Sequence, residues 1–180
     1  MDRIDKLITK VYRERSWVPW NNRHERAAKF ERLFRLKLPD WPMRNQTDYK
    51  DGGATAISFM LHQGHYIGVP TRDGLETRIS RLGGECYQVL LEISHLGPFA
   101  RVRFTRETFD RESGYLGYSE RDTPYRDEDV LFNETLKGIL EDEGIRVLGR
   151  DILNKVIPDI KLDVTEKGMA TIYHCLFDEE

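Results

Sequence analysis

Two alternating stretches joined by a short turn constrain this chain more than any other feature. In Cys86–Ile93, the residues Tyr87, Val89, Leu91 and Ile93 alternate with Cys86, Gln88, Leu90 and Glu92, which gives a strand one apolar face. Phe99–Arg106 repeats the pattern, with Ala100, Val102 and Phe104 on one side and Arg101, Arg103 and Thr105 on the other. Ser94-His95-Leu96-Gly97-Pro98 lies between them and supplies turn residues. The expectation is an antiparallel hairpin with one buried face and one arginine-bearing face.

Helical stripes flank the hairpin. Ile4, Leu7, Ile8 and Val11 predict a helix over about residues 2–14, broken by Trp17-Val18-Pro19-Trp20. Asn22 and Glu25 form a capping box for a second helix with Ala27, Phe30, Leu33 and Phe34 on its stripe, closed by Pro39 and Pro42. Asp73 and Glu76 start a third, with Leu75, Ile79 and Leu82, and Gly83 is placed to cap it. Asp127–Glu143 is the strongest helix: acids at its start, a stripe of Phe132, Leu136, Ile139 and Leu140, and Gly144 as its stop.

The remaining segments are shorter. Residues 54–62 fit a strand or a short buried helix equally well, and Tyr66–Val69 fits a strand. Residues 107–127 read as a long loop carrying Tyr115, Tyr118 and Tyr125. Ile145–Leu148 reads as extended, Asp151–Ile157 as a short helix, and Ile160–Val164 with Met169–Phe177 as a final hairpin. A chain of 180 residues suits one domain. The expected architecture is a single α+β domain over residues 1–180: N-terminal helices, a central mainly antiparallel sheet, and a C-terminal helix and β-hairpin.

Composition narrows the function classes. With 11% aromatic residues the chain is not of disordered type, although 33% of it is charged. Its 28 Lys+Arg and 31 Asp+Glu leave a net charge of −3 that conceals two poles, since residues 1–50 carry +6 and residues 111–180 carry −8. The longest apolar run, Ala56–Leu61, is interrupted by Ser58 and far too short to span a bilayer, and Met1-Asp2-Arg3-Ile4-Asp5-Lys6 lacks the apolar core of a secretory signal. A cytoplasmic protein with no membrane partner is expected. Cys86 and Cys175 form no CxxC or paired framework, so no structural zinc site or disulfide scaffold is expected. No P-loop, GxGxxG, HExxH, GxSxG or EF-hand loop occurs, and no cofactor is expected.

Several side-chain sets can carry chemistry. His62 and His65 are the one close histidine pair, candidates for acid/base work and weak ones for a metal, with Gly64 between them. Cys86 with His95 is a conceivable thiol dyad; His174 beside Cys175 is not one if both lie on a regular strand. Arg101, Arg103 and Arg106 suit phosphate or carboxylate binding, in competition with cross-strand pairing to Glu92 and Glu107. Gly52-Gly53 offers backbone amides to an anion, but no Lys-Ser/Thr follows.

For partners, Lys29, Arg32 and Arg35 make a modest cationic face, and residues 128–177 permit a winged helix-turn-helix reading. The would-be recognition helix offers only Arg150 and Lys155, and the acidic pole disfavours nucleic acid. Trp17, Trp20 and Trp41 surround the second helix and are expected to pack against it. Glu141-Asp142-Glu143 sits at the negative end of its helix dipole, where acids bring no stability. The leading expectation is a non-enzymatic binding domain, immunity- or antitoxin-like, that engages a basic protein through Glu141, Asp142 and Glu143 with Tyr115 and Tyr118. The alternative is a small enzyme acting on an anionic, phosphorylated substrate through Arg101, Arg103 and His62 or His65. A nucleic-acid-binding module comes third.

Overall fold

The computed structural model describes residues 3–14, 23–49, 53–62, 72–110, 112–162, 165–166 and 168–177. Its elements are α1 (Arg3–Ile8), continued by a π-helical turn (Thr9–Arg13), α2 (Arg23–Lys37), β1 (Met43–Asn45), β2 (Ala54–Met60), α3 (Arg72–Arg81), β3 (Glu85–Ser94), β4 (Phe99–Asp110) and β5 (Tyr115–Arg121). A 3-10 turn (Asp127–Asp129) leads into α4 (Val130–Asp142), followed by β6 (Arg146–Val147), α5 (Arg150–Leu153) and α6 (Ile172–Phe177). The strands run β1-β2-β3-β4-β5 in antiparallel order, and β6 pairs in parallel with the start of β4. The fold is α+β, with helices around a mainly antiparallel sheet.

The expected hairpin is the centre of that sheet. Leu91 faces Val102 and Val89 faces Phe104, so the two apolar alternations coincide in register. Of residues 54–62, Ala54–Met60 form a strand, because Ile57 and Phe59 come opposite Leu91 and Val89 and extend the same apolar face. The stripes of α2 and α4 cover this face: Phe30, Phe34, Phe132, Leu136 and Leu140 are buried with Ile57, Phe59, Val102 and Phe104 in one core. Trp41 fills its margin, 4.9 Å from the Phe132 ring, which is the structural use expected of it.

Among the described residues, helices cover the opposite face at its two ends. At one end α3 buries Ile79 against Met60 and Cys86, and Arg78 anchors it to Glu107 of β4 at 2.7 Å. At the other end α1 and the C-terminal segment form a second core of Ile4, Ile8, Phe99, Leu153, Ile160, Leu162 and Leu176. Ser94 donates its hydroxyl to the Leu176 carbonyl at 2.6 Å, and Tyr12 donates to the Cys175 carbonyl at 2.7 Å, which fixes that segment to the sheet.

Four expectations are corrected. The expected C-terminal hairpin is absent among the described residues: residues 172–177 are helical, with Ile172, Cys175 and Leu176 buried on one side at helical spacing. The long loop over 107–127 contains β5, which pairs along the whole outer half of β4. The helix expected over Asp151–Ile157 is limited to Arg150–Leu153, and the first helix changes to π geometry after Ile8. Tyr66–Val69, Trp17 and Trp20 lie outside the described residues.

Candidate functional site

The arginine-bearing face of the hairpin is where anion chemistry was expected, so its charges decide between the readings. Arg101 and Arg103 are on the face away from α2 and α4, next to Glu92 of β3 and Glu120 of β5. Arg103 contacts Glu92 at 3.1 Å and Glu120 at 3.1 Å, and Arg101 lies 3.7 Å from Glu92 and 3.6 Å from Glu120. Their side chains are only 13% and 18% exposed. The Arg101 guanidinium also covers the Tyr173 ring, 4.6 Å from its centroid.

This is a closed ladder of charges rather than an open anion hole. Burial pulls the Arg103 pKa down, but Glu92 and Glu120 more than reverse it, so the group is raised above its ordinary value. Burial likewise pushes Glu120 up, and Arg103, Tyr118 and Arg101 together pull it below the usual carboxylate range. Each guanidinium already has carboxylate partners that an incoming anion would have to displace. Glu92 was visible in the sequence as a partner; Glu120 was hidden in the segment read as a loop. Arg106 lies on the other face and pairs with Glu85.

His62 does not join this set. Tyr87 donates its backbone N–H to His62 Nε2 at 3.1 Å, and the His62 ring lies against the Tyr87 ring, toward the end of the sheet held by Arg126. His65 lies outside the described residues. His95 hydrogen-bonds Thr55 Oγ1 at 3.1 Å, while Cys86 is buried beside Met60 with its sulfurs 3.7 Å apart. Burial pushes the Cys86 thiol up to about 11, the opposite of an activated nucleophile. Cys175 and His174 fall on α6, and His174 Nδ1 accepts the Thr171 N–H at 3.0 Å. Among the described residues no group of three or more His, Cys, Asp or Glu is arranged to hold a metal ion, and no helix is long and apolar enough to cross a membrane.

The expected partner-binding residues divide into two patches. Glu143 pairs with Lys29 of α2 at 2.6 Å, so it joins two helices of the domain; Glu141 and Asp142 remain exposed at the end of α4. Arg35 pairs with Glu31 at 2.8 Å, which leaves little of the expected cationic face on α2. Tyr115 and Tyr118 stand on β5, 68% and 63% exposed. Tyr118 donates its hydroxyl to Glu120 at 3.2 Å and is registered opposite Glu107, while Tyr115 is opposite Asp110. Burial first, then Glu120, raises the Tyr118 pKa.

Beyond β5 there is no further strand among the described residues, so a strand edge bearing two tyrosines and flanked by acids faces outward. No family model, curated protein or solved structure matches the chain.

Proposed function

We propose that the chain is a protein-binding domain that takes an extended, basic polypeptide segment along the outer edge of β5. The observation that carries this reading is the edge itself: a seven-residue strand at the margin of the sheet with Tyr115 and Tyr118 exposed on it. An edge strand offers backbone donors and acceptors to an added strand, and exposed tyrosines supply rigid contact area at small entropic cost. Asp110, exposed and opposite Tyr115, favours a basic partner. The engagement of Arg101, Arg103 and His62 within the domain weighs against the enzyme reading. A neutraliser of a basic toxin, in the manner of an immunity protein, is one form of this activity.

The test is capture from native extract at low and high salt with wild-type chain, the Tyr115→Ala/Tyr118→Ala variant, and a Glu141→Lys/Asp142→Lys variant. The expected result is a stoichiometric basic partner that is lost with the tyrosines and in high salt. The α4 variant shows whether the second acidic patch belongs to the same interface. Retention by the tyrosine variant, or no partner at low salt, overturns the reading.

A further inference from the structure

A cleft of about 470 Å³ opens beside α4, lined by Val102, Asp122, Lys137, Glu141, Arg146 and the 144–149 segment. At its base the pairing along the outer edge of β4 is interrupted. Ala100 is matched by β6, and its carbonyl accepts the Leu148 N–H at 2.8 Å; pairing with β5 begins only at Phe104, opposite Arg121. Backbone polar groups alternate sides along a strand, so those of Val102 point to the same edge as those of Ala100 and Phe104. Neither ladder extends to Val102. The margin of the gap is fixed, because Arg150 donates from its backbone N–H and its Nε to Asp122 at 3.2 and 3.0 Å where the chain leaves β5.

Charges of both signs surround this gap. Lys137 and Glu141 follow each other by one turn on α4, and Arg146 lines the same cleft from β6. The side chains of these three make no ion pair among the described residues, whereas Asp122 is held by Arg150. Positions four apart on a helix bring their Cβ atoms to about 5–6 Å. The two ends of an extended dipeptide are separated by about 7 Å. Buried Val102, Ile145 and Leu148 lie beneath the cleft, and half-buried Val147 adds apolar surface.

The geometry points to a binding site for a free short peptide of two or three residues. Its ammonium is taken by Glu141, its carboxylate by Lys137 and Arg146, and its amide pairs with the backbone of Val102. A phosphate ester fits less well, since Glu141 lines the same cleft as Lys137 and Arg146 and repels an anion there. The site does not depend on the partner proposed for β5, and no tyrosine of that edge lines it.

The test is calorimetric titration of the full chain with L-alanyl-L-alanine and L-leucyl-L-leucine, their N-acetylated and C-amidated forms, and inorganic phosphate. The expected result is binding of at least one free dipeptide, weakened about tenfold or more by either blocking group. Glu141→Gln should remove the discrimination against acetylation, and Lys137→Met, which leaves Arg146 in place, should reduce the discrimination against amidation. Glu141 is exposed, so its variant is expected to melt with the wild-type chain. Failure of both free dipeptides to bind at millimolar concentration, equal binding of blocked and free forms, phosphate binding as tightly as the peptides, or unaltered discrimination in both variants would each overturn the proposal.

Discussion

The two faces of the sheet are held by different physics. Toward α2 and α4, Ile57, Val89, Leu91, Val102 and Phe104 are removed from water with no charge among them, so burial of apolar area carries the face. On the other face α3 and α6 occupy the ends, and between them Glu92, Arg101, Arg103 and Glu120 cross three strands as a ladder of ion pairs. Such a ladder adds little net stability, since desolvation offsets most of its attraction, yet it is sensitive to the loss of one member. The first face therefore supplies stability, and the second makes the alignment of β3, β4 and β5 depend on matched charges.

Truncation separates these two behaviours. Phe104→Ala, at a fully buried ring, is expected to cost about 3–5 kcal/mol in a urea melt. Glu92→Gln should cost about 1–3 kcal/mol, because it leaves Arg101 and Arg103 half-compensated. The combined replacement Glu92→Leu/Arg101→Met should recover much of that loss, as exchange of a whole pair is close to neutral. If the double variant is as unstable as the single one, the ladder contributes net stability and the contrast between the faces fails.

Acid should weaken the ladder. Burial raises the Glu120 pKa and Arg103, Tyr118 and Arg101 lower it further than burial raises it, so its folded value lies below its unfolded one. A depressed carboxylate contributes stability that is complete above the unfolded pKa and is lost as pH falls through the folded one. The stability gap between wild type and Glu120→Gln should therefore be constant near neutrality and close below about pH 4. A gap that persists unchanged at lower pH would show that the Glu120 charge is not what Arg103 requires.

The same contrast explains what could be read in the sequence. The covered face was legible because apolar residues recur at the period of each element: Val89, Leu91, Val102 and Phe104 at two, and Phe132, Leu136, Ile139 and Leu140 at helical spacing. β5 was not, since a marginal strand with both sides partly in water has no apolar alternation, and Gly114 and Gly117 resemble loop residues. Missing β5 also hid Glu120, so Arg101 and Arg103 looked available to an external anion. At the C-terminus Ala170, Ile172 and Leu176 satisfied a strand pattern, but Ile172, Cys175 and Leu176 also satisfied a helical one, and docking against Phe99 and Ile4 favoured the helix. The cleft beside α4 needs residues from β4, the turn after β5, α4 and the segment around β6 together, which no local pattern encodes.

A smaller effect tests the end of α4. Gly144 has φ of +71°, its N–H bonds the Glu141 carbonyl at 2.9 Å, and the Ile145 N–H bonds the Leu140 carbonyl at 2.8 Å, so the helix closes in a left-handed cap. Gly144→Ala should cost about 1 kcal/mol in the same melt, from backbone strain alone. A loss several times larger would mean that the cap also holds β6 in place.

The smallest effect concerns the two charge poles. Their side chains do meet, through Lys29 with Glu143 at 2.6 Å and Arg13 with Asp159 at 3.4 Å, but Lys29 and Arg13 are about half exposed and water screens both pairs. Lys29→Ala should cost less than about 1 kcal/mol, and raising the salt should reduce that difference further. The wild-type chain should likewise lose little stability on transfer to high salt, since the buried ladder is screened much less than the surface pairs. A large loss in the wild type with a small one in Lys29→Ala would assign the salt-sensitive stabilisation to this pair. A large salt-dependent loss in both would assign it to inter-pole contacts other than this pair, such as Arg13 with Asp159.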